Sequence, residues 1–97
     1  MIRKKKLDDA KVAITFILPE THAYGATSVV GDFNDWDPGV HRFEKQHNNT
    51  YSASVTLPAD QTYRFRYLAE GGIWLNEDAS DGYESNNYGS GNSIVKT

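Results

Sequence analysis

Thr62-Tyr63-Arg64-Phe65-Arg66-Tyr67-Leu68-Ala69-Glu70 decides the fold of this 97-residue chain. Tyr63, Phe65 and Tyr67 fall on one side of a period-two repeat, while Arg64, Arg66 and Leu68 fall on the other. That alternation is the pattern of a strand with one face on a core. Gly71-Gly72 turns the chain, and Ile73-Trp74-Leu75 reads as a short return strand. Upstream, Pro58 to Gln61 makes a turn, and Tyr51 to Leu57 alternates Tyr51, Ala53, Val55 and Leu57 against Ser52, Ser54 and Thr56.

The remaining chain extends the same theme. Lys11 to Leu18 is rich in β-branched residues, places Val12, Ile14, Phe16 and Leu18 on one face, and stops at Pro19. Thr27 to Val30 and Val40 to Lys45 read as further strands, with a loop over Glu20 to Ala26 and a hairpin turn at Gln46-His47-Asn48-Asn49. Asn76 to Asn92 reads as a long polar loop, and Ser93 to Lys96 as a closing strand. Nothing repeats with helical period over ten residues. About seven short strands predict an all-β fold, an antiparallel β-sandwich of the immunoglobulin-like kind without its cysteines or its strand-C tryptophan.

The length suits one domain, and the absence of cysteine leaves packing alone to hold it. No stretch approaches the ~20 apolar residues of a membrane span. Arg3 to Lys6 is basic, but Leu7-Asp8-Asp9-Ala10-Lys11 is too charged for a secretory apolar region. The expectation is a flexible basic tail over 1–10, a folded body over 11–97, and a cytoplasmic location. From Leu7 onward six Lys and Arg face thirteen Asp and Glu, a net of −7. A body this acidic repels phosphate backbones, so nucleic acid is not the expected partner.

Chemistry-bearing patterns are few. Asp32, Asp35 and Asp37 form one carboxylate set and Glu77, Asp78 and Asp81 another, but both sit in turn-like sequence where Asp caps amides or meets water. Glycoside hydrolysis needs one carboxyl with a raised pKa in a desolvated cleft, which so small a sandwich does not offer. The run from Asp32 resembles a calcium loop at its first and third positions only, with Trp36 at the fifth and Phe43 at the twelfth. His22, His41 and His47 lack metal-ligand spacing and read as exposed loop residues. No serine occupies a nucleophile elbow. The expectation is a protein without catalytic residues, metal or cofactor.

The aromatics are more informative. Gly31-Asp32-Phe33-Asn34-Asp35-Trp36-Asp37-Pro38 has the residues of a turn, yet carries a tryptophan that no turn needs. Trp36 and Trp74 both lie near strand ends beside Asn, Asp and Gly, outside the alternating core runs. A sugar ring offers a C–H face for an aromatic plane and a rim of hydroxyls for donors such as Arg64. Two readings stand: plugs over the core, or a sugar-stacking surface.

Those residues, with Tyr63-Arg64-Phe65-Arg66-Tyr67, Gly72-Ile73-Trp74, Asn87-Tyr88-Gly89 and Asn92-Ser93-Ile94-Val95, resemble a carbohydrate-binding module of family 48. That family includes isoamylase and branching-enzyme N-terminal domains and the glycogen-binding domain of the AMP-activated protein kinase β subunit. The likeness runs from about Lys11 to the end. It implies a noncatalytic β-sandwich, here in stand-alone form, that binds α-1,4-linked glucan such as glycogen, starch or maltooligosaccharide. The stacking tryptophans would be Trp36 and Trp74, the cationic donor Arg64, and the cradling loop residues Tyr88, Ser90 and Asn92. In this reading the aspartates and Asn34 hold the turn, Phe33 enters the core and Trp36 meets the sugar. The family also implies an alternative, a module that docks on a glucan-metabolising enzyme or kinase-like complex with sugar binding lost.

Overall fold

A computed structural model describes residues 1–19, 25–46, 48–77, 79–85 and 91–97. Among these described residues lie nine strands: β1 Ile2–Lys6, β2 Lys11–Leu18, β3 Thr27–Gly31, β4 Glu44–Lys45, β5 Tyr51–Pro58, β6 Thr62–Ala69, β7 Ile73–Leu75, β8 Gly82–Ser85 and β9 Gly91–Lys96. They form two antiparallel sheets. One has the order β1-β2-β5-β4; the other has β3-β6-β9-β8, with β7 also pairing β6. The all-β sandwich is the expected fold, with two strands more than the alternation suggested.

The alternating strands line up as their patterns require. Ile14 pairs Val55 and Phe16 pairs Ala53 across β2 and β5, while Val29 pairs Tyr67 across β3 and β6. Val12, Ile14, Phe16, Leu18, Val29, Ala53, Leu57, Phe65, Tyr67 and Val95 are buried together as the core. Phe16 is its centre, with the Phe65 ring 4.9 Å away and those of Phe33 and Tyr67 at 6.1 and 6.2 Å. Burying such a ring contributes on the order of 2–3 kcal/mol. The turns are those of the sequence: Gly71 and Gly72 both have positive φ, and Asn49 at φ 65 closes the turn after β4.

Three expectations need correction. The tail expected to be flexible over 1–10 is instead half strand: β1 pairs residue for residue with β2, from Ile2 opposite Phe16 to Lys6 opposite Val12. Its basic side chains hid it from periodicity, but Lys and Arg are what a solvent-facing edge strand carries. Within the polar loop expected over Asn76 to Asn92, Gly82–Ser85 pairs with β9 as the sheet edge. Tyr83 covers Gly91 there, standing where a Cβ on that glycine would be. Conversely, Val40 to Lys45 yields only two strand residues, because Gly39 to His41 is spent crossing between sheets, anchored by Val29 N–H to the His41 carbonyl at 2.9 Å.

Cross-strand partners project to the same face. The outer face of the five-stranded sheet therefore carries Arg64, Arg66 and Leu68 of β6, beside Ile94, Val30 and Trp74 respectively. Asn92 of β9, opposite Glu84 of β8, belongs to the same face. No helix among the described residues is long and apolar enough to cross a membrane.

Candidate functional site

The turn after β3 is built by its own polar side chains. Asn34 Oδ1 accepts the Gly31 N–H at 3.0 Å, and its Nδ2 donates to the Val29 carbonyl at 3.0 Å and to His41 Nδ1 at 2.9 Å. The Gly31 carbonyl accepts the N–H groups of both Asn34 and Trp36, at 3.1 and 3.0 Å. Asp37 accepts the Gly39 N–H at 2.8 Å. Gly31 is obligatory, since a Cβ there would collide with the Arg64 carbonyl and the Phe33 ring. Phe33 packs on the core, as expected.

His41 departs from the exposed loop residue expected of it. It is half-buried, meets Phe33 edge-on at 5.8 Å, and accepts from Asn34, which assigns its own proton to Nε2. Burial lowers its pKa from the ordinary 6.5.

Trp36 leaves this turn under backbone constraint. Asp35 and Trp36 have φ of 55 and 59, a left-handed conformation that a bulky L-residue seldom adopts. The half-buried Trp36 indole N–H donates to Asp32 Oδ1 at 3.3 Å. Asp32 Oδ2 in turn accepts the Arg64 backbone N–H and Nε, at 2.9 and 3.1 Å. Burial alone would raise the Asp32 carboxyl, but the Arg64 hydrogen bonds and charge, with the Trp36 N–H, outweigh it and hold it below the ordinary carboxylate value. Arg64 also stands 3.7 Å from Glu84, and Asp32 and Glu84 together keep its guanidinium charged.

Trp74 occupies the other part of this face. It is 45 % exposed, an unusual amount for an indole on a sheet. The Arg66 guanidinium carbon lies 5.0 Å from its ring centre, within cation–π range. Arg64 and Arg66, two residues apart on β6, stand roughly 6–7 Å from each other along the strand.

The structure thus brings Trp36, Arg64, Trp74 and the half-buried Asn92 onto one face, whereas Tyr88 and Ser90 lie outside the described residues. Sequence reasoning passed over Arg66 and Glu84, and gave Asp32 only a turn-holding role. For Arg66 the signal was present, because alternation sets it on the Arg64 face. Glu77, expected in a solvent-facing acidic set, is buried and accepts the Tyr67 hydroxyl at 2.7 Å. Asp78 of that set is outside the described residues; Asp81 accepts the Lys96 N–H and pairs Lys4. Among the described residues, no three His, Cys, Asp or Glu side chains group as a metal site. No protein-family model matches the chain, and no curated protein matches it.

Proposed function

We propose that this chain is a noncatalytic module that binds α-1,4-linked glucan on the outer face of its five-stranded sheet. The observation that carries the reading is a connected set of groups on that face. Trp36 is tied to Asp32, Asp32 to Arg64, and Arg64 shares its strand face with Arg66, which touches Trp74. Two aromatic planes accompany a fixed cationic donor, Arg64, and Asn92 adds an amide able to donate and accept. Glucose rings require such a surface, with planes for C–H faces and donors for the hydroxyl rim.

Two further features support binding over catalysis. Among the described residues the face is an open platform, without the enclosed cleft that desolvates a general acid. Asp32, the carboxylate at its centre, is shifted down, opposite to what a glycosidase acid needs. The strained backbone at Trp36 also favours a role for that indole, since a turn alone is better served by Gly or Asn.

Exposed platforms with few contacts bind weakly, here in roughly the micromolar-to-millimolar range. The test is affinity electrophoresis in gels with and without glycogen, together with maltoheptaose titration of tryptophan fluorescence. Retardation by glycogen, abolished in Trp36→Ala and Trp74→Ala, is the expected result. No response at millimolar sugar, or unchanged binding in both variants, overturns the reading and leaves the protein-docking alternative.

A further inference from the structure

The Arg66 guanidinium lies 5.0 Å from the centre of the Trp74 ring, and two observations fix which side of the ring it is on. Arg66 Nε is shut off from solvent and has no hydrogen-bond partner among the described residues, whereas Trp74 is nearly half exposed. Val30, the cross-strand neighbour of Arg66 on this face, is fully buried. Arg66 Nε is therefore shut in between the apolar sheet surface and the indole. The open side of the ring looks outward.

We infer that Arg66 is the positioning residue for the candidate site, a planar bed that holds the Trp74 indole flat and leaves it one face for ligand. This rests on the glucan reading for its ligand, but not for its geometry. Among the described residues, the indole on the three-residue strand β7 has the aliphatic Leu68 as its cross-strand partner and Arg66 against its ring. A buried N–H without a partner is costly, and a polar atom kept in that state calls for a reason. The contact with the ring supplies one, because a guanidinium can lay its plane on an indole and meet the ring's negative face with its charge. Lysine offers the charge without the plane, and so is not an equivalent residue here. With the inner face covered, a sugar stacks on the outer face alone, and the ring needs no reorientation when the ligand arrives. That pre-organisation favours affinity by lowering the ordering cost of binding.

The test uses Arg66→Met, which keeps an unbranched apolar chain under the ring, and Arg66→Lys, which keeps the charge. Ring immobilisation is read by near-ultraviolet circular dichroism in a Trp36→Phe background, where Trp74 is the remaining one of the chain's two tryptophans. Affinity is read by maltoheptaose titration in the otherwise wild-type chain. Arg66→Met is expected to lose most of the Trp74 near-ultraviolet band with its far-ultraviolet spectrum intact, and to bind about fivefold to thirtyfold more weakly, the span from an exposed to a desolvated cation–π contact. Arg66→Lys is expected to fall between Met and wild type in both. A near-ultraviolet band unchanged in both variants overturns the inference, as does wild-type affinity in Arg66→Met. If the wild-type chain binds no maltoheptaose, the glucan reading fails by itself, and the spectral comparison still decides whether Arg66 holds Trp74.

Discussion

Asp32 clasps Arg64 twice, accepting both its backbone N–H at 2.9 Å and its side-chain Nε at 3.1 Å through one oxygen. The other oxygen takes the Trp36 indole, so one carboxylate orients two of the proposed ligand-binding groups. Asp32→Asn keeps the shape and removes the charge. We expect glucan affinity to fall about tenfold, equivalent to ~1.4 kcal/mol, with a smaller loss of thermal stability. The pH dependence has a defined sign. Because the folded carboxyl sits below its ordinary 3.8, its contribution is complete above that pH and disappears as pH falls through the folded value. Comparing acid unfolding of wild type and Asp32→Asn checks this, since the variant should lack that part of the slope.

His41 titrates in the opposite chemical sense with the same direction of effect. Its folded pKa is depressed by burial, and its Nδ1 accepts from Asn34, so protonation sets two donors against each other. The stabilisation is complete above pH 6.5 and is lost as pH falls through the lower folded pKa. Thermal midpoints between pH 7.5 and 5 should decline in wild type. The decline should be shallower in His41→Gln, whose amide oxygen can still accept from Asn34.

Two glycines should answer differently to alanine. A Cβ at Gly31 meets backbone, the Arg64 carbonyl, which cannot step aside without moving β6. At Gly91 it meets the Tyr83 ring, which is 61 % exposed on an edge strand and free to swing outward. Gly31→Ala is expected to cost about 1–3 kcal/mol and Gly91→Ala clearly less. Urea midpoints at constant slope measure both.

Tyr67 donates its hydroxyl to the buried Glu77 carboxylate, and that burial with the Glu77 bond and charge pushes the phenol well above its ordinary pKa. Tyr67→Phe removes one acceptor's partner inside the molecule, at an expected cost of ~1–3 kcal/mol. In a chain this size that lowers the midpoint by about 4–8 °C per kcal/mol. Tyr67→Phe combined with Glu77→Leu should cost less than the sum of the single changes, because the bond between the two side chains is lost only once, although Glu77→Leu also strips the Met1 ammonium and the Ala79 N–H of their acceptor.

Strands with a core on one side were legible in the sequence, as β2, β5 and β6 show. Their apolar residues recur at period two, and the pairing of Phe16 with Ala53 joins two such core-facing positions. Strands β1 and β8 were not, because an edge strand needs only backbone pairing, which side-chain types do not encode. The same division holds at the site. Trp36, Arg64 and Trp74 stood out as aromatic and cationic groups set off from the core pattern. The double clasp of Asp32 and the bed formed by Arg66 depend on distances across strands, which no spacing along the chain reveals. The acidic run after Trp74 misled for a related reason: Glu77 is buried with partners far off in sequence, the Tyr67 hydroxyl, the Met1 ammonium and the Ser93 hydroxyl.

The left-handed backbone at Asp35 and Trp36 has an evolutionary consequence. Each non-glycine residue there costs roughly 1–2 kcal/mol against the right-handed form, so the turn is a standing reserve of untapped heat resistance. Selection for thermal tolerance alone should drive both positions to glycine, producing a sturdier molecule stripped of that indole. Persistence of tryptophan at position 36 under such selection, in glycogen-dependent and glycogen-independent lineages run side by side, would report how much the ligand matters to the host.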